Sequence, residues 1–433
     1  MVVDQLAYPK TESAVRTDFV LIGLIMACAL YAVTLASQTA NTARNLAMFV
    51  AIFLGGLLVL VSTEQDHASG KIPAFPRPPW LLVAYLTLMI VTNIISGGGS
   101  DHVVPFIGQI IATVLFFYAL PIILVRDQKR LEFFYEVFTV CAAVTAISGF
   151  ASYLGFKTFF FLPLAVKDVY ANFSGFAAVG GIVENPLVFG VFMFLALALT
   201  AYRTFQRPSG SRYILIALFA GALIASQARG GLLALSITIF LAFCPRLFIR
   251  SGWRLLLLVP ILFGAVSLAY VTVTLVPGLS SLFRVQMGLS DRAVIWTATA
   301  FMILRQPWFG YGFGTSSDFV RSIGDVMTQL GGQPVAAVHN TYLTNAFEQG
   351  LLCSTVYVAL YLLPVWAVAQ SNMSASDKRF FIGMGLGILV ANIWLDNNYG
   401  GMRITSLMLT VLMGLAYQFA TAKDVRREST QAI

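Results

Sequence analysis

His339, in the run Ala337-Val338-His339-Asn340-Thr341-Tyr342-Leu343, is one of three histidines in the chain and stands where a polar loop meets a membrane-length apolar segment. An imidazole changes charge nearest neutral pH, so it is the first candidate for taking a proton from a hydroxyl. The positive end of a helix dipole disfavours imidazolium, which keeps a ring at a helix start neutral and able to accept. His339, Leu343 and Phe347 recur at i, i+4 and i+8, which places the ring above an apolar stripe on one helix face. Two arginines add anion clamps. Arg229 lies in Ser226-Gln227-Ala228-Arg229-Gly230-Gly231 between two apolar segments, where the glycines would let a ligand approach the backbone closely. Arg292 opens Ser290-Asp291-Arg292-Ala293-Val294-Ile295-Trp296, where Ser or Asp would cap an apolar helix running to about Leu304. A base with two guanidinium forks on one face suits transfer from a pyrophosphate-linked donor. The competing readings are a structural histidine at a helix boundary and arginines paired with carboxylates or headgroups.

These side chains must be positioned by membrane helices. The 433 residues are 58% hydrophobic and 11% charged, which excludes an ordinary soluble domain. The pattern predicts an all-α polytopic membrane protein, a single integral domain over residues 1–433. About twelve spans are expected: Phe19–Ser37, Ala43–Val61, Trp80–Ile95, Pro105–Val125, Phe133–Leu154, Pro186–Tyr202, Tyr213–Ser226, Leu232–Ile249, Leu255–Val276, Thr341–Ala369, Phe380–Trp394 and Ile404–Ala420. Alternating faces from a cytoplasmic N-terminus puts 18 of the 27 Lys and Arg inside and leaves nine outside, with both termini cytoplasmic. The net charge of +8 is therefore topology rather than a nucleic-acid surface. The outer nine include Lys157, Lys167, Arg229 and Arg292, and cations that break the positive-inside bias suggest an anionic ligand. The first stretch, Met1 to Asp18, is polar, so the following apolar run reads as an anchor rather than a cleaved signal.

Two outer links are long. Residues 155–185 end in Glu184-Asn185-Pro186, a turn feeding a helix with Pro near its first turn. Residues 277–338 form the large loop, expected to carry short amphipathic helices lying flat on the outer surface. Within it Gln306-Pro307-Trp308-Phe309-Gly310-Tyr311-Gly312-Phe313-Gly314 breaks regular structure and offers aromatics to the headgroup level. Its GxGxG follows no expected strand and no Walker motif exists, which argues against nucleotide binding. No metal or other cofactor is expected: the outer acids show no Asp-x-Asp or His-rich spacing, and Glu64-Gln65-Asp66-His67 falls on the inner side. Cys28, Cys141, Cys244 and Cys353 lie in apolar runs without ligand spacing.

The ordered set of Ser226–Gly231, Arg292–Trp296, Pro307–Gly314 and His339-Asn340-Thr341-Tyr342-Leu343 ending at Gly350 resembles the O-antigen ligase and Wzy-type polymerase superfamily of bacterial envelope glycosyltransferases. The resemblance runs from Ser174-Gly175-Phe176 onward; the first five spans match in hydropathy alone. It implies a GT-C-like lipid-sugar glycosyltransferase fold in the bacterial inner membrane with a periplasmic active site. It further implies metal-independent transfer of a glycan from undecaprenyl pyrophosphate to an acceptor hydroxyl on a glycolipid or growing glycan, amid membrane lipids and without nucleic acid. Carried over, His339 is the general base, and Arg229 and Arg292 hold the pyrophosphate. Family members often carry an arginine early in the first long outer link; here Lys157 and Lys167 stand there, and Lys167 would neutralise phosphate without a bidentate fork.

Within that class the sequence leaves open O-antigen ligation to lipid A-core, polymerisation of O-antigen or exopolysaccharide repeats, and protein O-glycosylation. A different class, a secondary transporter, would show broken helices with buried polar residues in corresponding halves, and no such repeat is visible. Asn392 and Asp396 would be its remnant or an interfacial pair. A scaffold with dead chemistry is the third reading.

Overall fold

The computed structural model describes residues 50, 52–61, 63–64, 78–97, 102–126, 128–159, 162–167, 178–183, 185–243, 290–329, 337–395 and 404–431. The spans expected at Phe19–Ser37 and Leu255–Val276 lie outside the described residues, as do the polar N-terminal stretch, Asp66-His67, Ser174-Gly175-Phe176 and Asp396. In chain order the helices are α1 (Ile52–Val61), α2 (Trp80–Ile95), α3 (Val103–Arg126), α4 (Gln128–Tyr153), α5 (Pro186–Gln206), α6 (Gly210–Ser226), α7 (Arg229–Phe243), α8 (Ser290–Arg305), α9 (Thr315–Gln329), α10 (Thr341–Gln370), α11 (Ala375–Ala391) and α12 (Ile404–Gln431). Four of them, α3, α4, α5 and α10, are long and apolar enough to cross a membrane, and most of the others are shorter apolar helices. The protein is thus mainly helical, with one addition that the hydropathy pattern did not show. Two small antiparallel strand pairs form in the first long link: β1 (Thr158–Phe159) with β2 (Leu162–Pro163), and β3 (Ala165–Lys167) with β4 (Ala178–Gly181).

Local chemistry sets the helix ends. Asn185 caps α5 by accepting from the Leu187 N–H at 2.9 Å, and Pro186 occupies the first turn, where its missing N–H costs nothing. In α3 a π-helical turn covers Val114–Ala119 just before Pro121, which cannot donate to the preceding turn. Gly414 of α12 packs against the Phe117 carbonyl in that turn.

Close packing comes from small residues. Along antiparallel α7 and α11, Gly230 faces Ala391, Ala234 faces Gly387 and Thr238 faces Gly383, a ladder with steps of four residues. A Cβ on Gly387 would stand 2.6 Å from the Ala234 carbonyl oxygen, and the Thr238 hydroxyl lies 3.2 Å from the Gly383 oxygen. Two helices with apolar sides gain little by leaving lipid for each other, so close backbone approach through small residues is what joins them.

The bundle has two chemically distinct ends. At one, Arg207 pairs with Glu132 at 3.3 Å and the Tyr202 hydroxyl donates to Asp377 at 2.7 Å, gathering the start of α4, the end of α5 and the start of α11. At the other lie the strands, the α6–α7 turn, the end of α11, the α8–α9 loop and the start of α10.

Candidate functional site

The site end is assembled around a helix that breaks. Expected as one uninterrupted span over Thr341–Ala369, α10 instead contains Gly350 at φ 77° and ψ 167°, outside helical space. Straight, 30 residues would extend about 45 Å, well beyond a hydrocarbon core of about 30 Å. The break leaves a part of about 20 residues of bilayer length and a short half-helix, Thr341–Gln349, as its cap.

The carbonyls freed at the break take donors from the glycine-aromatic loop. The Tyr311 N–H donates to the Phe347 oxygen and the Gly312 N–H to the Glu348 oxygen, both at 2.9 Å, while the Leu351 N–H donates to the Pro307 oxygen at 2.7 Å. Gly310, Gly312 and Gly314 all have positive φ, and a Cβ on Gly310 would come 2.6 Å from Glu348 backbone atoms. The glycines serve this close approach rather than a nucleotide. The aromatics divide. Trp308 and Phe309 are exposed as expected, but Tyr311 stacks on Phe347 at 4.8 Å and Phe313 tilts against Phe106 at 5.4 Å. Ser96 at the end of α2 clasps the loop, donating toward the Phe309 and Gly310 oxygens at 2.9 and 3.0 Å.

His339 does not lie on the helix face that its spacing suggested. It precedes the cap residue Asn340 and adopts φ 53°, so the i, i+4, i+8 stripe begins at Leu343 and the ring is placed by a left-handed turn. Such a conformation costs a residue with a Cβ about 1–2 kcal/mol and persists only where its surroundings hold it. The holders are identifiable. Before it, the Val338 carbonyl accepts the Trp296 indole N–H at 2.9 Å, and Val338 packs with Ile295 and Val320. After it, the Asn340 side chain accepts from the Tyr342 and Leu343 N–H groups at 3.0 and 3.1 Å. The Thr341 N–H then donates to the Asn392 and Leu395 oxygens, and its hydroxyl donates to Leu395 at 2.5 Å. His339 itself is half-buried.

Both arginines sit on elements tied to these same anchors. Arg229 is the first residue of α7, after Gln227 in a left-handed turn and Ala228, whose N–H bonds the Ser226 hydroxyl at 3.1 Å. Its neighbour Gly230 lies against Ala391 and Trp394, part of the turn that bonds Thr341. The glycines there serve helix packing, a correction to the ligand-approach reading: a Cβ on Gly231 would stand 2.9 Å from the Gly190 oxygen of α5. Arg292 stands on α8 one turn before Trp296, on the face that reaches Val338. Arg229 and Arg292 are both half-buried. Lys167 is placed by its strand. It ends β3 opposite Ala178, and β4 packs on α4 and α5, with the Ile182 N–H on the Ser148 hydroxyl at 3.2 Å. Among the described residues no group of His, Cys, Asp and Glu has metal-binding geometry.

Three residues named in the motifs take roles that the sequence did not show. Glu348, 4% exposed, accepts the Ser316 hydroxyl at 2.5 Å and ties α9 to the half-helix. Trp296 and Thr341 orient the segment on either side of His339. The Glu-Gln-Gly at the break was a usable signal, since a carboxylate and a glycine inside an apolar span both oppose an unbroken helix.

The chain is a helical bundle with its polar apparatus at one end, built on a broken helix and a glycine-rich loop. Residues 214–358 match the model of the O-antigen ligase family (Wzy_C), which supports the resemblance to the O-antigen ligase and Wzy superfamily over that stretch. The matched stretch contains Arg229, Arg292, His339 and the Gly350 break, and Lys167 lies before it. No curated protein matches the chain.

Proposed function

We propose that the protein is an inner-membrane, metal-independent glycosyltransferase with about twelve spans in a GT-C-like arrangement and both termini cytoplasmic. It transfers a glycan from undecaprenyl pyrophosphate to an acceptor hydroxyl at the periplasmic face, either ligating O-antigen to lipid A-core or polymerising O-antigen or exopolysaccharide repeats. The observation that carries this reading is the left-handed turn at His339, held by α8 on one side and by the α11 end on the other. The elements bearing Arg292 and Arg229 meet at those same two anchors. His339 takes the proton from the acceptor oxygen as that oxygen attacks the anomeric carbon and the bond to the pyrophosphate breaks. Arg229 and Arg292 neutralise the charge that grows on the departing diphosphate, with Lys167 as a third, monodentate cation. The large loop, residues 277–338, shapes the acceptor side, and residues 155–185 carry Lys167. Protein O-glycosylation uses the same chemistry with a different acceptor.

The test uses purified full-length protein, a lipid-linked donor and an acceptor in detergent. His339→Gly suits the positive φ and is expected to melt within about 1 kcal/mol of the parent while losing transfer. Full activity in that variant removes the proposal. The transporter reading gains one observation, the break beside buried Glu348. It requires a matching break in a second half, and product formed in detergent without a membrane to cross excludes it.

A further inference from the structure

Opposite the His339 end, the ends of α4, α5, α6, α11 and α12 line a half-open cavity of about 250 Å³. Its polar wall holds Arg203, Arg207 and Arg212 with Glu132 and Asp377. Both carboxylates already have donors: Arg207 and the Gln128 amide on Glu132, at 3.3 and 3.2 Å, and the Tyr202 hydroxyl on Asp377. The Tyr202 ring is held by stacking on Phe380 at 4.2 Å, so that wall is fixed. Arg212 is different, because its Nη1 donates to the Arg203 and Arg207 carbonyls, leaving its charge without a carboxylate. Arg203 is half-buried with its guanidinium 5.1 Å above the Tyr135 ring, and it forms no salt bridge among the described residues. Two guanidinium groups near enough to repel each other face one half-open space, with Glu132 and Glu136 close to Arg203 but in no salt bridge with it, and their free N–H donors suit an anion with several acceptor oxygens.

We infer that this cavity binds a phosphate group, supplied either by the headgroup of an anionic phospholipid or by a soluble phosphate. Placement makes a headgroup readily available. The cavity lies at the end of α4 and α5, both of membrane length, and Phe205 and Ile214 project exposed apolar surface beside it for acyl chains. It is a second anion site, separate from the pyrophosphate site and independent of the reaction proposed there.

The experiment is native mass spectrometry and thermal melting of the full-length protein in neutral detergent, titrated with phosphatidylglycerol, phosphatidylethanolamine or inorganic phosphate. Phosphatidylglycerol is expected to remain bound and raise the melting temperature more than phosphatidylethanolamine does, and Arg203→Gln to weaken its binding ~10-fold. Arg203→Lys should restore part of that loss. Gln206→Trp, which fills the cavity while keeping every cation, should also release the lipid and serves if Arg203→Gln does not fold. Competition by inorganic phosphate supports a site that reads the phosphate alone; protection by inorganic phosphate without lipid retention assigns the soluble source. Equal retention of the two lipids with no effect of phosphate, or unchanged binding in both the glutamine and tryptophan variants, overturns the inference.

Discussion

Gly350→Ala probes the break on which the site is built. At φ 77° and ψ 167° the residue occupies a region essentially confined to glycine, and a side chain there costs about 1–3 kcal/mol in torsion alone. The new Cβ would also fall against the Trp308 carbonyl and 2.7 Å from the Phe309 nitrogen, both backbone atoms that cannot rotate away. Keeping the contact costs about 1–3 kcal/mol of overpacking. Moving the loop instead forfeits the three hydrogen bonds from Tyr311, Gly312 and Leu351, about 1 kcal/mol each. By either route the local loss is about 4 kcal/mol, equivalent to hydrogen exchange roughly 10³-fold faster at the Tyr311 and Gly312 amides. Gly155→Ala is the control. Its φ is 88° but a Cβ there meets nothing within 4 Å, so it carries the torsional cost without the clash. Exchange mass spectrometry and melting in detergent measure both variants, and transfer should fall in Gly350→Ala alone. If the two variants melt alike and the loop amides stay protected, the loop does not depend on the break as argued.

Other substitutions test the anchors around it. Asn340→Ala removes the cap of α10 and should cost about 1 kcal/mol, with faster exchange at the Tyr342 and Leu343 amides; unchanged exchange would contradict the cap. Trp296→Phe leaves the Val338 carbonyl without its indole donor and should destabilise by about 1–2 kcal/mol while lowering transfer further, because His339 is the next residue. Gly387→Val forces α7 from α11 and should lower stability by about 2 kcal/mol or more, whereas Gly210→Val, with open space around it, should not; equal melts would refute the ladder. Arg229→Lys keeps the charge but loses the fork, so kcat/KM should fall ~10-fold, and an unchanged value argues against bidentate phosphate binding.

Local signals were enough for the mainly helical fold, for the four helices long enough to cross a membrane, for the Asn185-Pro186 start of α5 and for the α8 helix at Ser290. Each follows from apolar runs or a cap residue. The ordered set of motifs also pointed to the superfamily that the family model supports over residues 214–358, because those residues are read in sequence without needing contacts. Tertiary structure decided what each residue does. Periodicity put His339 on a helix, yet the cap falls at Asn340 because its side chain takes the first free N–H groups, which turns the histidine out into a left-handed bend. Gly230 and Gly231 looked available to a ligand, but α11 and α5 occupy that space. The break at Gly350 and the strand pair ending at Lys167 depend on partners far away in the chain. A backbone can leave helical geometry inside an apolar run only where another segment supplies the missing hydrogen bonds, and that supply is a property of packing.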